Sequence, residues 1–372
     1  MTSEIKVLVV DDSAFMRKMI STMLDTRGIR VVATARNGKD ALKKLEEYKP
    51  DVVTLDVEMP VMSGLDFLRK VMKDNPLPVI MLSSLTEKNS VTTIKALELG
   101  AVDFIPKPSG TISLDIDKVK DELIKKVRVA AKSSPSLSKS SLKDNKKFSR
   151  KSTSSSKNKR INQNKFKSKS KPISKAESKS TRGKKLVVIG ASTGGPRALK
   201  EVMTRINENI NCGILIVQHM PPNFTASLAH RLDKLAPIKV KEAEDGDQIM
   251  PGRALLAPGD YHMLINSDGT KVKLNQDDKV HNVRPAIDLT MESAARYYGS
   301  RTLGVILTGM GKDGTRGLEA IKSVGGYTIA QDEETSVVYG MPKAAYRAGV
   351  VDSVKPLNFI GNEIMQYIKK LK

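Results

Sequence analysis

Residues 190–196 read Gly-Ala-Ser-Thr-Gly-Gly-Pro. They follow the apolar run Lys185–Ile189 and precede Pro196–Ile206, whose apolar residues recur at helical spacing. A serine in G-x-S-x-G between a strand and a helix is placed as a nucleophile. The glycines permit a sharp turn, and the helix N-terminus offers free N–H groups to a developing oxyanion. Proline just after the turn fits a first helical position. The same kind of turn also serves dinucleotide and phosphate sites. Taken alone, Gly190–Gly195 leaves both chemistries open.

The next apolar run, Gly213–Gln218, ends in His219-Met220-Pro221-Pro222. In a parallel sheet this puts His219 on the same edge as Ser192, where an imidazole serves as general base. The other histidines have weaker settings. His230 lies in an amphipathic segment, His262 follows Gly259-Asp260-Tyr261, and His281 sits in a polar loop that could line the site. A third apolar run, Leu303–Thr308, leads into Gly309-Met310-Gly311-Lys312-Asp313-Gly314. Asp313 can orient the imidazole, cap the helix Gly314–Ser323, or do both. The order Ser…His…Asp differs from that of the α/β-hydrolases and of the two best-known protease folds. It points to a separate fold that converged on the triad. A nucleotide site would need an acidic ribose ligand about twenty residues after its glycines. The chain there offers Glu208 and no strand-end acid.

A second constellation lies near the N-terminus. One apolar run ends in Asp11-Asp12, another in Asp56, a third in Ser83-Ser84, and a fourth leads into Lys107-Pro108. Clustered carboxylates suit Mg²⁺. Asp56 could attack a phosphoryl group as a carboxylate nucleophile. The metal, Lys107 and a serine hydroxyl would then neutralise the phosphoryl oxygens. A single strand-end aspartate is more simply a helix cap. Four such features at successive strand ends, in order, favour chemistry.

The elements that must position these groups alternate. Strands are expected at Ile5–Val10, Val31–Ala35, Val52–Asp56, Val79–Ser83 and Phe104–Ile105. Helices are expected at Ser13–Thr26, Gly38–Tyr48, Leu65–Asn75, Thr86–Leu99 and Leu114–Lys132. This is the pattern of a parallel sheet covered on both faces. Ligands in such sheets bind beyond the carboxyl ends of the strands. Residues 184–372 repeat the style, with helices at Thr225–Leu235 and Pro285–Tyr298, a strand at Tyr327–Ala330, and short β segments through Gly252–Leu274.

Composition divides the chain into 1–130, 131–183 and 184–372. The net charge is +22, yet Lys132–Arg182 alone holds 17 Lys+Arg against 2 Asp+Glu. Lys, Ser and Asn dominate residues 131–183, which read as a disordered basic linker. Most of the basic excess therefore belongs to one segment and not to a nucleic-acid-binding surface. No helix-turn-helix output is found, so no nucleic acid is expected as a partner. The linker could still be drawn to acidic protein helices or to anionic lipid. Cys212 is the one cysteine, and no run reaches the length of a membrane span or a signal peptide. These features suit a reducing cytoplasm.

Residues 4–130 resemble the receiver domain of bacterial response regulators. The resemblance implies a flavodoxin-like, five-stranded parallel sheet in which Asp56 accepts phosphate from a histidine kinase. It implies Asp11, Asp12 and Asp56 as Mg²⁺ ligands, with Ser83, Phe104 and Lys107 as switch residues. Residues 184–372 resemble the protein-glutamate methylesterases of bacterial chemotaxis. The resemblance rests on Gly-Ala-Ser-Thr-Gly-Gly-Pro, Val-Gln-His-Met-Pro-Pro, Arg284-Pro285-Ala286-Ile287-Asp288 and Leu-Thr-Gly-Met-Gly-Lys-Asp-Gly. It implies a doubly wound, mostly parallel α/β domain with Ser192 as nucleophile, His219 as base and Asp313 as its orienting partner. Thr193 and the Met310 N–H are implied at the oxyanion site, and Arg284 at the substrate. The implied substrate is a glutamyl γ-methyl ester on the helical cytoplasmic part of a chemoreceptor, giving glutamate and methanol without a cofactor. Relatives also deamidate glutamine at such positions. The family linker is usually shorter than residues 131–183, and a long tether lowers the effective concentration of one domain at the other.

Overall fold

A computed structural model of the chain describes residues 4–107, 116–133 and 183–371. The linker expected over 131–183 lies almost wholly outside the described residues, as does Pro108.

The first sheet has the order β2-β1-β3-β4-β5, parallel throughout. Its strands are β1 (Ile5–Val10), β2 (Ile29–Ala35), β3 (Val52–Asp56), β4 (Val79–Ser83) and β5 (Asp103–Pro106). Every residue of β3 and β4 is buried, which is why these strands read as unbroken apolar runs. The helices between them are α1 (Ala14–Leu24), α2 (Gly38–Tyr48), α3 (Gly64–Asp74) and α4 (Glu87–Leu99), and α5 (Ile116–Ala130) follows β5. The first four start one residue after Ser13, Asn37, Ser63 and Thr86, whose side chains accept the N–H three residues on. These caps satisfy donors the helix itself leaves free.

The second sheet has seven strands in the order β14-β13-β12-β6-β7-β9-β8, again all parallel. At its centre lie β6 (Leu186–Ala191), β7 (Gly213–Gln218) and β12 (Thr302–Ile306). One flank has β8 (Lys239–Glu242) and β9 (Arg253–Leu256), the other β13 (Tyr327–Gln331) and β14 (Ser353–Lys355). A separate antiparallel pair joins β10 (His262–Ile265) to β11 (Val272–Asn275). The helices are α6 (Gly195–Met203), α7 (Phe224–Asp233), α8 (Ile287–Tyr298), α9 (Thr315–Ser323), α10 (Met341–Arg347) and α11 (Leu357–Lys370). Cys212, just before β7, is buried, and burial pushes its thiol up to about 12.

In both sheets the chain reverses its winding beside the first strand. The loops after β1 and β3 diverge in one sheet, and those after β6 and β12 in the other. A crevice opens at such a point, and the loops bearing Asp11 and Asp56 flank one of the two while those bearing Ser192 and Asp313 flank the other. Two boundaries differ from expectation for local reasons. The strand expected to reach Thr308 stops at Ile306, because the Thr308 N–H turns to the Gln331 side chain. The helix expected from Pro285 begins at Ile287, because the Ala286 N–H goes to His262 Nδ1.

Candidate active site

Ala191 and Gln218 are paired across β6 and β7, so Ser192 and His219 leave adjacent strands at the same level. The His219 N–H donates to Ala191 O at 3.1 Å. The Gln218 amide donates to Ser192 O at 2.9 Å and His219 O at 3.1 Å, stapling the two loops. Gly195 must be glycine for this, since a Cβ there would stand 1.9 Å from Gln218 Oε1. From the other side, Ser192 N–H donates to Thr308 O, and Gly309 lies so close that a Cβ on it would be 2.7 Å from Ser192 Cβ. The Ser192 hydroxyl forms no hydrogen bond among the described residues.

His219 Nε2 lies 2.8 Å from Asp313 Oδ2. Asp313 is 3% exposed. It also accepts the N–H groups of Ile287 (2.7 Å), Asp288 (3.0 Å) and Gly314 (3.0 Å). The carboxylate thus caps α8, not its own following helix, and faces the positive end of that helix. Burial would push its pKa up, but the His219 contact and the two α8 N–H groups outweigh this and hold it below the usual carboxylate value. Asp288, 1% exposed, bonds His281 Nε2 at 3.1 Å and accepts the Gly317 N–H. Its pKa is pushed up by burial and by the neighbouring Asp313 charge. The row His219, Asp313, Asp288, His281 is continuous; the sequence offered His281 as a residue lining the site and gave Asp288 no role.

Met310 follows Gly309 at the same edge, and its N–H forms no hydrogen bond among the described residues. Thr193 Oγ1 donates to Asp103 Oδ2 of β5 at 2.5 Å. The first domain therefore reaches the residue beside Ser192. Arg284 lies in the loop just before α8. Its guanidinium grips Asp260 Oδ1 at 2.8 and 3.1 Å and donates to the carbonyls of Gln276 and Asp277.

In the first domain, Asp11, Asp12 and Asp56 each bring a carboxylate oxygen within 4.8 Å of the others. Lys107 Nζ lies 2.7 Å from Asp56 and 2.9 Å from Asp11. Burial first, then the charges of Asp11 and Asp12, carry Asp56 up to about 6 despite Lys107. An all-oxygen cluster this short of countercharge fits a hard divalent cation. Ser83 is fully buried and accepts from Thr93 Oγ1 at 2.8 Å. Phe104 is 3% exposed, and its ring stacks on Phe224 of α7 at 4.4 Å.

The arrangement defines a class: a phosphoacceptor-type α/β domain docked on a second α/β domain that carries a serine-hydrolase edge. Residues 7–116 match the response regulator receiver domain, and residues 187–364 match the CheB methylesterase. A protein-glutamate methylesterase/protein-glutamine glutaminase of Pyrococcus abyssi is 46% identical over 99% of this chain and 95% of its own. That of Halalkalibacterium halodurans is 46% identical over 100% of both. The crystal structure of the Thermotoga maritima CheB methylesterase catalytic domain is 47% identical, covering 50% of this chain and 99% of that one, with a TM-score of 0.49. The chain belongs to the chemotaxis protein-glutamate methylesterase/protein-glutamine glutaminase family, whose members join a receiver to a hydrolase. No helix among the described residues is long and apolar enough to cross a membrane.

Proposed function

We propose that the enzyme hydrolyses glutamyl γ-methyl esters on cytoplasmic chemoreceptor helices, with Ser192 as nucleophile, His219 as base and Asp313 orienting the ring. The observation that carries this reading is the His219–Asp313 pair at 2.8 Å on the strand edge where Ser192 emerges. Because Nε2 is committed to Asp313, Nδ1 is the ring nitrogen left to take the serine proton. Ser192 Oγ attacks the ester carbonyl as that proton moves to His219. The Met310 N–H and the Thr193 hydroxyl stabilise the oxyanion. Collapse expels methanol, which takes the proton from His219. Water then attacks the acyl-enzyme by the same route and releases glutamate. A glutamine side chain would pass through the same acyl-enzyme and release ammonia, which accounts for a glutaminase activity. Arg284, steadied by Asp260 and two carbonyls through four of its five N–H donors, would contact the substrate.

In the receiver, Asp56 accepts a phosphoryl group from the chemotaxis histidine kinase. Asp11, Asp12 and Asp56 would hold Mg²⁺, which would neutralise phosphoryl oxygens there. Lys107, already paired with Asp56, shares that task, while Ser83 and Phe104 respond to the new charge. The unphosphorylated receiver packs over the catalytic edge, and phosphorylation favours its withdrawal. A Ser-directed fluorophosphonate should label wild type and not Ser192→Ala, and methanol release from methylated receptor should vanish in that variant. Full release by Ser192→Ala would end the reading.

A further inference from the structure

Phe224, Ser227 and Arg231 fall at helical spacing along one face of α7. Each is met by the receiver. Phe224 stacks on Phe104, Ser227 Oγ lies 2.5 Å from Ser90 Oγ, and Arg231 makes two 2.9 Å bonds to the Glu98 carboxylate. Asn223, just before α7, donates to Leu85 O at 3.3 Å. Leu85, Ser90 and Glu98 thus meet Asn223, Ser227 and Arg231 in the same chain order, so α4 lies along α7. From α6, Lys200 Nζ comes within 4.0 Å of the same Glu98 carboxylate. The catalytic domain therefore holds two cations aimed at one carboxylate on a helix.

This face continues to the nucleophile, because the same receiver surface supplies the Asp103 bond to Thr193. A helix laid along α7 toward Ser192 would take the place of α4. Withdrawal of the receiver leaves Phe224, Ser227, Arg231 and Lys200 uncovered. The chemistry that best re-covers them is another helix bearing a carboxylate. Resting on the methylesterase reading, we propose that this α6–α7 face is the docking surface for the substrate helix. Lys200 and Arg231 take a substrate carboxylate where Glu98 now sits, and α4 is a stand-in for that helix.

The test uses the full chain with Mg²⁺ and a saturating small-molecule phosphodonor. Two substrates are compared: a methylated, soluble chemoreceptor fragment and p-nitrophenyl acetate, which has no charge to dock. Arg231→Glu should raise unstimulated p-nitrophenyl acetate turnover, because the latch to Glu98 is lost. It should also raise KM for the receptor fragment about tenfold with kcat little changed, as expected when uniform binding is removed. Glu98→Arg combined with Arg231→Glu should restore the low unstimulated turnover and leave the receptor KM high. Arg231→Gln guards against a folding defect and should show the same KM effect in weaker form. A receptor KM within twofold of wild type in Arg231→Glu, or one recovered by the double variant, would reduce the pair to a latch and overturn the proposal. Failure of wild type on both substrates would instead sink the hydrolase reading beneath it.

Discussion

Asp103 of the receiver accepts a hydrogen bond from Thr193, the residue next to Ser192, at 2.5 Å. Asp103 also pairs with the half-buried Lys126 at 3.4 Å and stands beside Phe104 in β5. The hydroxyl proposed for the oxyanion site is therefore occupied in the packed arrangement, so under the proposed function the receiver would restrain chemistry as well as access.

Asp103→Ala should raise basal methanol release about 10- to 100-fold, since a hydrogen bond to a charged group contributes about 1.5–3 kcal/mol. The phosphodonor-stimulated rate should stay near wild type. An unchanged basal rate would show that the bond has no part in restraint.

Asp313→Asn keeps the shape but sets an amide among three backbone N–H donors and the His219 ring. At least one of those donors loses its acceptor. We expect kcat to fall ~10³–10⁴-fold, as when a triad carboxylate elsewhere is neutralised. Fluorophosphonate labelling of Ser192 should slow in step.

Asp288→Asn tests the second buried carboxylate. Burial and the Asp313 charge raise the Asp288 pKa in the folded state. A raised carboxyl supports the fold fully below its unfolded value of about 3.9, and that support is lost as pH rises through the folded value. The Asn variant escapes this loss. Urea titrations should show its midpoint at or above wild type at pH 7, with the advantage gone near pH 4.

Gly64→Ala probes the receiver frame. A Cβ at Gly64 would stand 2.0 Å from the Asp56 carbonyl oxygen, which is backbone and cannot swing aside. The loop bearing Asp56 must shift, at a cost of about 1–3 kcal/mol. Both the thermal midpoint and the rate of phosphodonor uptake should drop.

Most strands were legible because a fully buried parallel strand is an apolar run that stops at a polar or glycine-rich loop, as Val52–Asp56 and Gly213–Gln218 do. The same punctuation marked Ser192, His219 and Asp313, and the register of β6, β7 and β12 explains why they share an edge. The chain after Gln331 gave no such signal. There β14 is three residues long, and α10 and α11 begin at Met341 and Leu357 without a side-chain cap. The domain contact was illegible for another reason. Helix α4 is packed both on its own sheet and on α7, so it buries Asn89, Ser90 and Thr93 along with Ile94 and Leu97 and loses its amphipathic contrast. Glu98 and Arg231 look like ordinary solvated charges until both helices are in place.

Cys212 has a practical implication for watching the domains part. A thiol that is 1% exposed and carried up to about 12 is almost never thiolate near neutrality, so maleimides and nitroxide reagents should pass it by. Cysteines placed at exposed Phe15 and Phe359, one in each domain, would then be the two reactive handles, and the spacing between their labels would report opening in the native chain.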